Sequence, residues 1–399
     1  MPEPRFFNRD LSQLAFNARV LAQAADESTP LLERIRFLCI FSGNMDEFFM
    51  KRLDPLRRSR GQGAPRSGEA LNPGEILAAV RSETDRLSAE RARLWTTALR
   101  PALVHEGIAL LGWDELSAEE IGRAKKFFQA EVFPVLTPLA VDPAHPFPFL
   151  SNLSLSLGVR LRHPRGADPL FARIKIPDML PQWVRVGPER GDQGLRLCRL
   201  TDVVAANLDS FFPEMFAEAT TLFRVLRSAD VESAAEEGDD EDRLDMVEEE
   251  LRLRRMADIV AVQQPEGAEP WFQGLLSAEL GLKPSDFHVC SGELNWQALA
   301  ELAALPYAHL RFKPWVPLTP PAFGGNDEEV FLALRDQEHL IHLPYESFSS
   351  SIERLLQAAA RDPQTLTIKI ALYRMGNDSP LIPMLIEAAE NGKQVVCVV

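Results

Sequence analysis

Nowhere in the 399 residues is there a run of about 18 uncharged apolar residues, so no membrane-spanning helix is expected. The opening residues, MPEPRFFNRDLSQLAFN, lack the basic start and apolar centre of a secretory signal. Cysteine is scarce: Cys39, Cys198, Cys290 and Cys397 lie far apart and form no Cys-x-x-Cys pair. That pattern fits reduced, buried thiols in a cytosol better than disulfides or zinc. The common nucleotide signatures are missing too, with no Gly-x-x-x-x-Gly-Lys-[Ser/Thr] loop and no Gly-x-Gly-x-x-Gly. Gly392-Lys393-Gln394 lacks both the earlier glycine and the hydroxyl residue. There is no His-Glu-x-x-His, no zinc spacing and no Gly-x-Ser-x-Gly, so chemistry has to be read from less familiar features.

What is present is a soluble globular composition, 46% apolar and 25% charged, at a length that predicts two or three domains. The net charge of −15 would repel nucleic acid and other polyanions if it were spread evenly. It is not: residues 232–250 hold eleven Asp and Glu against one Arg. That segment reads as a solvated insert. Local arginine clusters elsewhere could still hold an anion.

The first hundred residues read as helices. Thr29-Pro30 reads as a cap followed by proline at the first helical position. Leu31, Leu32, Ile35, Leu38 and Cys39 recur at helical spacing. Ser42-Gly43-Asn44 is expected to interrupt that helix, with Asp46 capping a second one. Residues 60–73, rich in Gly, Pro, Ser and Arg, read as a loop, and 75–99 as helix again. Further on, Leu153, Leu155, Leu157, Val159 and Leu161 alternate with small or polar residues, which predicts a half-buried strand. Short strands are expected at 172–176, 184–186, 221–226 and 259–262, and a helix at 201–211. After the prolines of 314–321 come a helix at 350–361, a strand at 365–373, a helix at 379–391 and a strand at 394–399. Strand, helix, strand of these lengths makes a parallel crossover. An apolar strand as the last six residues predicts a fragment of a longer protein.

Few residues stand out chemically. Asn44 could read a base edge or help bind an anion beside free helix-terminal N–H groups. The other reading is a Gly-Asn helix break. Arg374 follows a buried parallel strand, where open α/β sheets bind ligands, and its forked donors suit phosphate. It could equally be a solvent-facing loop arginine. Lys51, Arg52, Arg57, Arg58 and Arg60 form either a solvated face or a guide for a polyanion. His342, with no identifiable partner, reads as structural. The stretch from Asp142 through His145 to Phe149 reads as a packed connector.

Several of these runs resemble the polyphosphate kinase family. Residues 7–52 do so through Asn8-Arg9-Asp10-Leu11-Ser12, Pro30-Leu31-Leu32-Glu33-Arg34 and Ser42-Gly43-Asn44-Met45-Asp46-Glu47-Phe48-Phe49. His145-Pro146-Phe147-Pro148-Phe149-Leu150-Ser151-Asn152, Leu343-Pro344-Tyr345-Glu346-Ser347-Phe348 and Ile368-Lys369-Ile370-Ala371-Leu372-Tyr373-Arg374 follow in order. Departures occur at Gln13, Ala15, Gly43 and Leu343, where the family often has Trp, Glu, Ser and a second histidine.

The resemblance implies a multidomain α+β architecture. A helical domain would span 1–103, and a central α+β domain 104–318, with its acidic insert near 230–250. Residues 319–399 would open a phospholipase-D-like α/β domain, truncated here. It implies reversible transfer of the ATP γ-phosphate to polyphosphate through a phosphohistidine beyond Val399, so that no residue here is the nucleophile and the fragment alone is inactive. Asn44 would be the ATP-binding asparagine. Arg374 would stand at the magnesium–phosphate site, gripping phosphate oxygens, because a guanidinium cannot ligate a cation. The implied partners are ATP, ADP, Mg2+ and inorganic polyphosphate, within a cytoplasmic homodimer or homotetramer; peripheral membrane association is left open and no nucleic acid is expected. Two rival readings are a phospholipase-D-like phosphohydrolase and a non-catalytic nucleotide-binding scaffold.

Overall fold

A computed structural model describes residues 6–59, 71–141, 147–164, 168–188, 194–229, 257–372 and 379–398. Packing divides the chain into two units, Met1–Phe312 and Lys313–Val399. Among the described residues no helix is long and apolar enough to cross a membrane.

The first unit begins with helix α1 (Arg9–Ala25), which Asn8 caps by accepting from the Asp10 and Leu11 amides. Leu14, Asn17, Leu21 and Ala24 bury one stripe of it. Helix α2 (Leu31–Phe48) has Pro30, not Thr29, at its N-cap, and no side chain caps it. It also runs unbroken through Ser42, Gly43 and Asn44, where a break was expected. Packing overrides local preference there. The Ser42 hydroxyl donates back to Leu38 O at 2.7 Å. Gly43 lets the Gln297 side chain come close: a β-carbon at that position would lie 3.1 Å from Gln297 Nε2. Asp46 is not a cap; it is buried and ion-paired.

Beyond α2 the chain widens into a π-helical turn, Phe49–Leu53, and a short helix α3 (Asp54–Ser59). Helix α4 (Pro73–Leu94) starts with a reciprocal Asn72–Glu75 capping box and ends in a second π turn before α5 (Arg100–His105). Leu32, Ile35, Leu38, Phe41, Phe48, Val80, Leu87 and Trp95 form the core between these helices.

The remainder of this unit is built on two sheets. Strands β1 (Ile108–Leu111), β5 (Trp183–Arg185) and β6 (Leu195–Arg199) form the smaller, in order β1-β6-β5. The larger has order β2-β4-β3-β7-β8-β9. Its strands are β2 (Leu139–Val141), β3 (Leu155–Arg162), β4 (Leu170–Lys175), β7 (Phe216–Arg227), β8 (Ile259–Pro265) and β9 (Phe287–Cys290). All its pairs are antiparallel except β8–β9.

Strand β3 is not half-buried as its alternation predicts; both faces of this central strand are covered, because helices pack on both sides of the sheet. On one side Leu155, Leu157, Val159 and Leu161 meet Ala124 of helix α6 (Ala118–Phe127) and Val203 and Val204 of α7 (Leu200–Ala205). Helix α7 is shorter than the 201–211 expected. On the other side Phe171, Phe223 and Val262 meet Phe272 and Leu276 of helix α8 (Pro270–Leu280). Gly158 is required there, since a β-carbon would sit 3.0 Å from the Phe171 ring. Helix α9 (Leu299–Ala303) packs back on α2. The acidic residues 232–250 and His145 lie outside the described residues.

The second unit carries helices α10 (Asp327–Asp336) and α11 (Arg354–Arg361), then strand β10 (Thr367–Ala371), helix α12 (Leu381–Glu390) and strand β11 (Gln394–Val398). Strands β10 and β11 are parallel, with Thr367 opposite Gln394, so the expected crossover is present. Leu356, Ala360, Ile368, Leu381, Leu385 and Ala388 form its core.

The Asp46–Arg224 pair ties α2 to β7 out of contact with solvent, so breaking it leaves a buried guanidinium short of its counter-charge. Asp46→Ala is expected to lower the unfolding free energy, measured in urea, by about 3–5 kcal/mol. Arg86→Ala, which removes only the exposed links to Glu83 and Glu90, should cost no more than about 1 kcal/mol.

Candidate functional site

Little more than one turn of α2 presents Ser42, Asn44 and Asp46 in different directions, and each is held by a different element. Asn44 is half-buried and faces α1, where its Nδ2 donates to Oδ1 of buried Asn17 at 2.9 Å. Among the described residues nothing else bonds the Asn44 Oδ1, so the amide keeps an acceptor available. Ser42 accepts from Arg91 Nη1 of α4 at 3.1 Å. The Arg91 guanidinium lies 4.2 Å from the Trp296 ring centre and, among the described residues, has no carboxylate in ion-pair contact; burial pushes its pKa down to about 10. Asp46 takes two bonds from Arg224, at 2.8 and 2.6 Å. Arg224 also donates to Gln263 Oε1 and to Leu153 O. The helix bearing Asn44 is thus fixed from α1, α4 and β7.

The basic run after Asn44 is largely neutralised. Lys51 pairs with Glu47, Arg52 with Asp10, Arg57 with Asp286 and Arg58 with Asp54. Arg60 lies outside the described residues, as does Arg374. Strand β10 ends at Ala371 and α12 begins at Leu381, on either side of Arg374 in sequence. Among the described residues no group of three or more His, Cys, Asp or Glu could hold a metal ion.

No described histidine is poised as a nucleophile. Burial, and then the charges of Arg57 and Arg81, push His288 down to about 4, and its Nε2 is buried without a partner. His342 is exposed beside the Tyr345 ring. Sequence reasoning missed a cleft of about 230 Å³ lined by Trp183, Arg199, Asp202 and Glu293. There Arg199 pairs with Glu293, and burial raises the Asp202 pKa. The cleft does not include Asn44, and its strands β5 and β6 gave only the faint signal of short apolar runs.

Comparison with known proteins settles what this arrangement belongs to. Family models described as polyphosphate kinase N-terminal domain, middle domain and C-terminal domain 1 match residues 6–111, 119–302 and 329–399, in that order. The chain belongs to the polyphosphate kinase family. It is 43% identical over 404 residues to a polyphosphate kinase of Mycolicibacterium gilvum, covering 100% of this chain and 55% of that protein. It is 41% identical over 411 residues to one of Mycobacterium tuberculosis, with the same coverage. The crystal structure of the Porphyromonas gingivalis polyphosphate kinase superposes with a TM-score of 0.79 at 26% identity, over 100% of this chain and 56% of that one. The chain therefore spans about half the length of the polyphosphate kinases it matches.

The state of His288 makes stability pH-dependent. Its folded pKa lies below the ordinary 6.5, so protons favour the unfolded chain. This contribution is intact above pH 6.5 and is lost as pH falls toward 4, by about 3 kcal/mol in all. His288→Phe should flatten the decline of the urea midpoint across that interval.

Proposed function

We propose that this chain forms the nucleotide-handling part of an enzyme that reversibly transfers the ATP γ-phosphoryl group to inorganic polyphosphate. What carries the reading is the unbroken succession of three polyphosphate kinase domain matches along the chain. The geometry adds an asparagine whose amide is oriented by a buried partner and keeps an oxygen free.

Phosphoryl transfer asks mainly for in-line positioning and for offsetting charge on the γ-phosphate. Asn44 is assigned to the base end of ATP, where its Oδ1 can accept from an amino group. Arg374 is assigned to the phosphates, through two parallel N–H donors. A histidine nucleophile would divide the reaction into two displacements. We assign that role to none of this chain's histidines. A magnesium ion, when bound, would draw off charge from phosphate oxygens. The described residues gather no carboxylate set to hold one. The resemblance supports a cytoplasmic homodimer or homotetramer with ATP, ADP and polyphosphate as its ligands.

The test is steady-state polyphosphate synthesis by the full-length enzyme. Asn44→Ala is expected to raise the KM for ATP roughly tenfold with kcat little changed, because one hydrogen bond to the nucleotide is lost. Arg374→Ala is expected to lower kcat by roughly 100-fold or more through lost charge stabilisation. An unaltered KM in the first variant would remove Asn44 from the nucleotide site. Unaltered kcat in the second would do the same for Arg374.

A further inference from the structure

Residues 149–153 enter β3 through an unusually constrained path. The Phe149 carbonyl accepts from Arg173 Nη1 at 3.0 Å, the Leu150 carbonyl from Arg227 Nε at 2.9 Å, and the Leu153 carbonyl from Arg224 Nε at 3.1 Å. The Asn152 side chain accepts from the Arg227 amide, and Leu153 donates to Val225 O. Leu153 is held at φ 60°, a left-handed conformation that a leucine adopts only under constraint. Surface loops are ordinarily fixed by far less.

The three guanidinium groups are themselves buried, at 4%, 5% and 8% exposure for Arg173, Arg224 and Arg227. Among the described residues only Arg224 of the three has a carboxylate in ion-pair contact, Asp46. Among the described residues the segment therefore sits over two buried guanidinium groups with no carboxylate in ion-pair contact, Arg227 feeling only the nearby charge of Asp258, and Arg173 Nη2 has no hydrogen bond. On this scaffold stands Phe149. Arg227 lies against its ring, 4.6 Å from the centre, while the side chain remains 46% exposed. A flat aromatic surface is thus open to solvent and backed by a guanidinium group.

We propose that Phe149 is a stacking platform for the base of a nucleotide. A nucleotide is the ligand that joins a planar π-face to negative charge, and both halves of the site are present. The proposal rests on the nucleotide reading of Asn44 and adds a residue to it. The two are mechanically joined: Arg224 bonds both Leu153 O and Asp46, which lies two residues beyond Asn44 on α2. Asn152 Nδ2 also reaches Met50 Sδ at 3.0 Å, at the end of the same helix.

The experiment compares binding of ATP and of inorganic tripolyphosphate, which has no base, to the full-length enzyme. Phe149→Leu is expected to weaken ATP roughly tenfold and to leave tripolyphosphate unchanged. Phe149→Trp is expected to restore ATP binding, with indole fluorescence quenched by ATP and not by tripolyphosphate. Because the side chain is exposed, both variants should keep the wild-type melting temperature. Equal weakening of both ligands by Phe149→Leu would make Phe149 a structural residue and overturn the proposal. Wild-type ATP affinity in Phe149→Leu, with affinity lost in Asn44→Ala, would overturn the platform and spare the nucleotide site. Wild-type affinity in both would overturn the two together.

Discussion

One ion pair organises the first unit. Asp46 near the end of α2 and Arg224 in the middle of β7 come from regions almost 180 residues apart. Neither is accessible enough for water to replace the other, so the pair forms only when helices and sheet are docked correctly. Buried pairs of this kind are poor sources of net stability and good sources of uniqueness when the geometry is two-pronged, as here. The arginine's remaining donors are spent on Leu153 and Gln263, so the same group also sets the entry into β3 and the register of β7 against β8.

The local consequence is a helix that its own sequence would not sustain. Serine, glycine and asparagine in succession disfavour helix interior. Each is matched to something outside α2: Ser42 to Arg91, Gly43 to Gln297, Asn44 to Asn17. The amide at 44 is therefore presented from a rigid wall, and a fixed amide loses less freedom on meeting a ligand than one on a loop.

Much of this was legible beforehand. The 3.6-residue spacing of apolar residues located the helices at 31–48, 75–94 and 354–361, though not those at 118–127, 270–280, 299–303 or 327–336, and the crossover of β10, α12 and β11 followed from segment lengths. The motif around Asn44 identified the family before any coordinates did. What failed were inferences that depend on distant partners. The break at 42–44 was argued from propensity alone, whereas Arg91, Gln297 and Asn17 support the helix there from outside. The alternation in β3 implied one wet face, yet Phe223 and Phe272, contributed from later in the chain, cover it. Strands β1, β2, β6 and β9 went unseen because three to five residues carry too little pattern to separate a strand from a loop. Asn17 escaped notice because nothing local distinguishes an asparagine on a helix face, and Phe149, between Pro148 and Leu150, was read only as part of a packed connector.

The pairing of Lys51, Arg52, Arg57 and Arg58 with neighbouring carboxylates bears on how a chain of phosphates would be drawn in. Those side chains offer an approaching polyanion dipoles instead of net charge. Among the described residues, three buried arginines, Arg91, Arg173 and Arg227, have no carboxylate in ion-pair contact. Mobile ions screen exposed charges from one another beyond about 10 Å at ordinary ionic strength, but reach interior ones poorly. Whatever positive field these three contribute at the surface is therefore little altered by salt, unlike that of an exposed basic run.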